Sequence, residues 1–500
     1  MSQIKRLPDE LAEFLRQDGP QTLLIRGDPG TGKTSLCFEM LHEFAGKRLY
    51  VTCRVAPAKI RQHFHWMAGP DPVEWKLLDL TSSPSSLEEA ASVLVHAHEL
   101  LSASRDNADA LRALWLPGAI QDAWGDTDPA EPTLIVIDPW NAFVEQYAES
   151  GRRTVPEGPS IRDLERTLIQ LIGRTKIHLA FVMEGGEPTH LDFLVDGVVV
   201  THRERGPDHV RRWLNLSKLR GVAINLPLYP FTLDEGLFQC ITPTEWPAGL
   251  SAAAPEPDPG PIPGTLWPGN ADFARRFGRL PAGSLTLFEL APEVPREVAP
   301  TLLTPILAEV LGRGGRAMLI PPPTLSPADS YADLATFVPA DALESRLRIL
   351  GVFPNQVQSD KFRSVFVPPH RISWTKDGVT VPVPEDPAFR VGSGDRTAMN
   401  LLVVYFSGIE GLAQSAGAVL TREAIPGAAH VTFGGSPVHL IALGRSGDPY
   451  FDAISPLAGL HLRIESRLGR ILIHGYRPFT EEFAVTQSGP AAPYRLLRLN

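Results

Sequence analysis

Residues 23–38 read LLIRGDPGTGKTSLCF, and this stretch decides the fold. The apolar run Leu23, Leu24, Ile25 predicts a strand buried on both faces. It breaks into a loop of the pattern G-x-x-x-x-G-K-T. Gly27, Gly32, Lys33 and Thr34 hold the fixed positions, and Asp28, Pro29, Gly30 and Thr31 lie between them. From Ser35 the chain can continue as a helix. Strand, loop and helix together are the context this motif requires. Its glycines let the backbone turn tightly and bring N–H groups close to an anion. The helix N-terminus adds partial positive charge where phosphates would sit. Residues 27–35 are therefore expected to hold ATP. Lys33 would reach the β- and γ-phosphates, and Thr34 would ligate Mg²⁺.

Outward from this loop, strands and helices alternate. Residues 8–16 read as a short amphipathic helix with Leu11, Phe14 and Leu15 on one face. Residues 48–52 (RLYVT) form a strand and 58–66 a helix. Residues 87–101 form a second helix behind the Ser-rich stretch 82–86. Residues 133–137 (TLIVI) make a strand ending at Asp138. Residues 147–159 form an exposed loop and 161–173 a helix. Residues 178–183, 197–201 and 211–218 are further strands. This alternation implies an α/β fold with a mostly parallel sheet covered on both faces.

Open sheets of this kind bind ligands outside the carboxyl ends of their strands. Asp138 ends one strand, where a nucleotide site needs a carboxylate for Mg²⁺. Glu184 ends another, followed by Gly185 and Gly186. It can orient an attacking water, or it is an ordinary surface carboxylate.

Residues 248–269 (AGLSAAAPEPDPGPIPGTLWPG) cannot build a core and read as a semi-stiff linker. They divide the chain into domains at 1–247 and 270–500, in keeping with a length of 500 residues. In the second part, 284–290, 316–320, 401–406, 439–443 and 470–474 are strand candidates, and 302–311 is a helix candidate.

Composition sets limits on function. A net charge of −10 argues against broad binding to nucleic acid through its phosphates. The basic residues Arg203, Arg205, Arg211 and Arg212 fit a solvated hairpin better than a nucleic-acid platform, because no interleaved aromatics accompany them. Cys37, Cys53 and Cys240 fit no disulfide framework and no zinc spacing, which suits a reducing cytoplasm. His63 and His65 lack a carboxylate or cysteine to complete a metal set. There is no membrane-spanning apolar run and no signal-peptide core.

Several segments together resemble the RecA-like ATPases of the KaiC, RadA and GvpD group. They are the GDPGTGKT loop at 27–34, LYVT followed by Pro57, and LIVID at 134–138. Next come VDGVVV at 195–200, SKLRG at 217–221 and LYPFTLDEGLF at 228–238. The resemblance covers residues 20 to 240 and implies a three-layer RecA-like domain that binds Mg·ATP. It also implies that Lys218 and Arg220 reach a neighbouring subunit's γ-phosphate in a homo-oligomeric ring, such as a hexamer. Two cations placed there would offset charge on the transferring phosphoryl group.

One departure matters. Members of the KaiC type carry two adjacent glutamates after the second strand, one acting as catalytic base. The aligned residues here are Arg54 and Val55, and neither can activate water. Turnover is therefore expected to be slow, or to depend on Glu184.

The second half is similar in order but degenerate. The loop equivalent, 291–298 (APEVPREV), has no glycine and no Lys-Thr pair. Residues 467–479 (RLGRILIHGYRPF) look like a worn copy of KLRG…YPF. The expectation is a tandem RecA-like protein whose second domain cannot hold nucleotide and instead stabilises the assembly or binds a regulatory partner. Two functions follow: a slow KaiC-like ATPase that assembles on nucleotide, or a GvpD-like regulator for which ATP is an assembly ligand. A recombinase-like DNA-binding role is the weakest expectation, given the acidic charge.

Overall fold

A computed structural model describes residues 6–64, 75–79, 81, 132–145, 160–173, 177–206, 209–243, 254–351, 364–368, 372–374, 382–384, 400–416, 438–486 and 493–499. The helix expected at 87–101 and the loop at 147–159 lie outside these residues. The chain divides into two compact units, 3–242 and 243–498.

The first unit carries β1 (Thr22–Gly27), β2 (Lys47–Thr52), β3 (Lys76–Asp79), β4 (Thr133–Asp138), β5 (Ile177–Glu184), β6 (Gly197–Arg205), β7 (Val210–Leu219), β8 (Leu228–Thr232) and β9 (Gln239–Cys240). They form one sheet in the order β3-β2-β4-β5-β1-β6-β7-β8-β9. Pairing is parallel through β6 and antiparallel from β6 to β9. Every residue of β1 is buried. It lies between β5 and β6, which explains its continuous apolar run.

Side chains alternate across the sheet. Leu23 and Ile25 join one core with helices α1 (Asp9–Leu15) and α2 (Lys33–Glu43). Leu24 and Phe181 join the other, with Leu168 and Ile172 of the helix Ile161–Ile172. The expected helix at 58–66 is shorter, Pro57–His63 (α3). The basic segment 203–212 is a hairpin, with Arg203 paired opposite Arg212 and Glu204 opposite Arg211. Among the described residues, no helix is long and apolar enough to cross a membrane.

Helix α2 buries one carboxylate completely. Glu39 is 0% exposed, with the Arg6 guanidinium 3.3 Å away. Burial pushes its carboxyl up to about 7 from an ordinary 4.5, against the pull of Arg6. A folded-state value above the unfolded one means full stability below about 4.5, declining as pH rises through about 7. Glu39→Gln is therefore expected to raise the melting temperature at pH 8 and leave it nearly unchanged at pH 5. A lower melting temperature at pH 8 would mean that the Arg6 pair outweighs the burial cost.

The second unit contains β10 (Thr265–Leu266), β11 (Leu280–Pro281), β12 (Leu285–Leu290), β13 (Ala317–Ile320), β14 (Leu347–Leu350), β15 (Phe366–Val367), β16 (Ile372–Trp374), β17 (Pro382–Pro384), β18 (Asn400–Tyr405), β19 (Val438–Gly444), β20 (Leu460–Arg467), β21 (Arg470–Arg477), β22 (Phe483–Thr486) and β23 (Arg495–Arg498). Its main sheet runs β15-β14-β13-β18-β19-β12-β20-β21-β22-β23. Without the edge strand β15, this is the order of the first sheet, strand for strand. Pairing again changes from parallel to antiparallel after the sixth counterpart, β20. The α/β architecture is thus a tandem of two RecA-like sheets.

Within the stretch expected as a linker, residues 254–269 are described. These residues belong to the second unit. Trp267 is buried and its Nε1 donates to Glu256 O at 2.8 Å. Asp258 pairs with Arg279 and, at 2.9 Å, with Arg313. Prolines keep this segment extended while its Trp and Asp anchor it.

Candidate functional site

The loop between β1 and α2 meets the carboxyl end of β5. Gly27 is opposite Glu184 in register, and Gly185 N donates to Gly27 O at 3.0 Å. Gly27, Gly30 and Gly32 have φ of +157°, +76° and +96°. At Gly27 an added Cβ would lie 2.2 Å from Thr201 O and 2.5 Å from Thr201 Oγ1. The backbone packs that closely only because the side chain is missing. Asp28, Pro29 and Gly30 are exposed at the loop tip. Thr31 is buried, and its hydroxyl contacts Thr201 Oγ1 at 2.7 Å. Gly32 caps the N-terminus of α2, and Ser35 is half-buried in its first turn.

Lys33 is buried and its Nζ donates to Gly27 O at 2.7 Å and Asp28 O at 2.9 Å. Burial lowers its pKa, while Asp138 and Glu184 pull the other way. The ammonium is thus held at the loop, within the field of both strand-end carboxylates.

Thr34 Oγ1 donates to Asp138 Oδ2 at 2.7 Å, and Tyr50 OH donates to the same oxygen at 2.5 Å. The register that sets Thr52 opposite Asp138 brings Tyr50 to this strand end. Burial holds the Asp138 carboxyl above its ordinary range, opposed by the bonds from Tyr50 and Thr34 and by the Lys33 charge. An oxygen pair of hydroxyl and carboxylate suits a hard divalent cation. Such an ion would offset the negative charge that burial now disfavours.

Glu184 is tied down. Arg54 NH1 donates to its two oxygens at 2.7 and 2.6 Å. Its backbone N donates to Asn141 Oδ1 at 2.8 Å. Tyr50, Asn141, Thr201 and the Arg54–Glu184 pair were not legible in the sequence. Each depends on which strands are neighbours, and the partners stand up to 170 positions apart.

Lys218 and Arg220 do not join the loop within one chain. Lys218 pairs in register with Val198, and Val198 with Leu24 near the start of β1. They stand at the end of the strands opposite the loop. Lys218 Nζ donates to Asp192 O at 3.2 Å and Val195 O at 2.5 Å. Arg220 pairs with Asp196 at 2.9 Å, its side chain 58% exposed.

In the second unit, strand pairing identifies the positions that correspond. Leu290 stands where Gly27 does, Tyr405 where Asp138 does and Arg445 where Glu184 would fall. Gly444 accommodates the Phe406 ring, 2.0 Å from where a Cβ would be. A buried aromatic fills the rim, and the carboxylates are gone.

The residues of the first unit fit a nucleotide's phosphates: a glycine cradle, an ammonium at its mouth and a hydroxyl–carboxylate pair beside it. The first unit has the fold and the loop of a P-loop domain. Residues 11–217 match the family described as GvpD gas vesicle protein, P-loop domain. Protein GvpD2 of Halobacterium salinarum is 28% identical over 398 residues, which cover 75% of this chain and 74% of that protein. Protein GvpD1 of the same organism is 28% identical over 388 residues, 76% of this chain and 67% of its own. Residues 11–217 of this chain are thus similar to the P-loop domain of the GvpD-like group.

Proposed function

We propose that this chain is a cytoplasmic Mg·ATP-binding regulator of the GvpD kind, in which bound nucleotide turns over slowly and favours self-assembly. The backbone of residues 27–35 and Lys33 would hold the phosphates. Thr34 and Asp138 would hold Mg²⁺, which would neutralise phosphate charge when bound. The matched family's name connects this reading to gas vesicles.

The observation that carries slow turnover is the Arg54–Glu184 pair. Glu184 is the strand-end carboxylate beside the cradle, and a guanidinium occupies both of its oxygens. A carboxylate so engaged is a poor acceptor for a proton from water. Assembly is supported by placement. The cradle and the outward-facing Arg220 lie at opposite ends of the strands, so head-to-tail contact can bring one copy's guanidinium to the next copy's phosphates.

The test uses the full chain. Calorimetry with Mg·ATP is expected to show binding, with light scattering reporting growth in size and phosphate release remaining slow. Arg54→Ala is expected to raise phosphate release by about tenfold, part of what a freed general base supplies. No heat of ATP binding defeats the proposal. Unchanged release in Arg54→Ala removes the explanation for slow turnover.

A further inference from the structure

Both units carry the same small device at the end of the same hairpin. In the first, β6 and β7 shift register between Val198 and Val199, where Lys218 and Leu216 are the partners. In the second, β20 and β21 shift between His461 and Leu462, where Arg477 and Gly475 are the partners. Arg477 therefore stands at the position of Lys218. Counting back from the paired residues sets Ser455 at Asp192 and Ala458 at Val195.

The contacts also correspond. Lys218 Nζ reaches Asp192 O and Val195 O. Arg477 NH1 reaches Ser455 O at 3.3 Å and Ala458 O at 3.4 Å, with Pro456 O at 2.9 Å between them. A cation at the strand end gathers the carbonyls of the turn that enters the neighbouring strand. Those carbonyls converge, and a positive group among them is well placed in the field of their lone pairs, in the second unit beside the amide of Ala458, which donates to Ser455 O at 3.2 Å.

The second unit has lost the cradle glycine and both strand-end carboxylates, yet it keeps this clasp. The clasp therefore does not track nucleotide handling. Arg220 behaves differently. Two residues beyond Arg477 stands Phe479, and in place of Asp196 stands Gly459. The Arg220–Asp196 pair is confined to the unit that has the P-loop.

We propose that Lys218 is a positioning residue of its own chain, clasping the turn 192–195, and that Arg220 alone is the cation offered to a neighbouring copy. The clasped turn matters to the site. Asp192, whose carbonyl Lys218 holds, uses its carboxylate to bind Arg26 Nε at 3.1 Å, and Arg26 immediately precedes Gly27. The same turn leads to Asp196, which receives both Thr22 and Arg220. It also exposes Phe193, 78% accessible. Lys218 thus sets the geometry from which Arg220 projects. Only the role of Arg220 rests on the assembly reading above.

Hydrogen–deuterium exchange on the nucleotide-free full chain tests the clasp. Lys218→Met is expected to speed exchange of amides 191–197 by about tenfold or more, as a local opening is made easier. Lys218→Arg, which copies Arg477, is expected to restore the parent rate. Arg477→Met is expected to do the same to amides 455–461 in the second unit. If Lys218→Met leaves 191–197 unchanged, or if Lys218→Arg exchanges like Lys218→Met, the clasp is overturned. Phosphate release separates the two cations: Lys218→Arg is expected to match the parent, and Arg220→Ala to lose any rise in release on assembly. Loss of that rise in Lys218→Arg with exchange intact would overturn the division of roles. Because exchange is read without nucleotide, a failure to bind ATP leaves the clasp standing, and a failed clasp leaves ATP binding standing.

Discussion

Gly27→Ala is expected to abolish ATP binding and lower stability by roughly 3 kcal/mol or more, by analogy with overpacked and strained positions. The obstacle is backbone. The new Cβ would sit 2.2 Å from the carbonyl oxygen of Thr201 on β6, and 2.9 Å from Thr31 Oγ1. A side chain could rotate away, but Thr201 O is fixed by the strand that flanks β1. Its φ of +157° adds strain for an L side chain. To relieve the clash, the loop must lift from β6, which moves the amides that would face the phosphates. Gly30→Ala is the control. It has φ +76° with nothing within 4 Å of the added carbon, so only conformational strain of about 1 kcal/mol applies. Melting curves and calorimetry with Mg·ATP should rank the variants in that order. A Gly27→Ala protein that melts and binds like the parent would show that the cradle is not packed as described.

How much of this was legible depended on how local the signal was. The P-loop was legible because glycine conformation, helix start and buried strand are all set within sixteen residues. Asp138 was legible because an apolar run that stops at a carboxylate marks a strand end. The Tyr50 hydroxyl was not, since it reaches Asp138 only through the β2–β4 pairing across 88 positions. Arg54 stood out in the sequence as a departure from family pattern, but its partner did not, since β2 and β5 are brought together by an intervening strand. The worn KLRG…YPF copy was recognised by composition alone. Which of its residues answers to Lys218 required the bulge, because a one-residue shift in a strand changes every correspondence after it. The contacts of the Pro-rich stretch were not legible for a related reason. Composition shows that 254–269 cannot form its own core, but not that Trp267 and Asp258 anchor it to the second unit's surface.

The duplicated sheet also shows how one half can keep the residues of a P-loop site while the other does not. Twin folds do not carry function with them; the site does. In the first unit the rim is open and charged. In the second, Tyr405 and Phe406 occupy that end as buried apolar bodies. That exchange replaces a charged, open rim by buried packing.

Lys33→Ala is expected to weaken Mg·ATP binding by about 100-fold, the loss of one or two charge-assisted hydrogen bonds of roughly 1.5–3 kcal/mol each. The nucleotide-free geometry makes this a clean measurement. Lys33 donates to Gly27 O and Asp28 O, but neither carbonyl depends on it. Gly27 O still receives Gly185 N at 3.0 Å, and Asp28 O still receives Thr31 Oγ1 at 2.8 Å. Removing the ammonium therefore leaves the loop hydrogen-bonded, and the melting temperature should change little. It also relieves a buried charge whose pKa burial has already lowered. Affinity and stability are thus expected to move independently: a large fall in the first, almost none in the second. In the parent, the ammonium would exchange two carbonyls for phosphate oxygens of full negative charge, and that difference is what the truncation removes. Calorimetric titration of the folded variant decides the matter, and equal affinity in variant and parent would falsify the assignment of Lys33 to the phosphates.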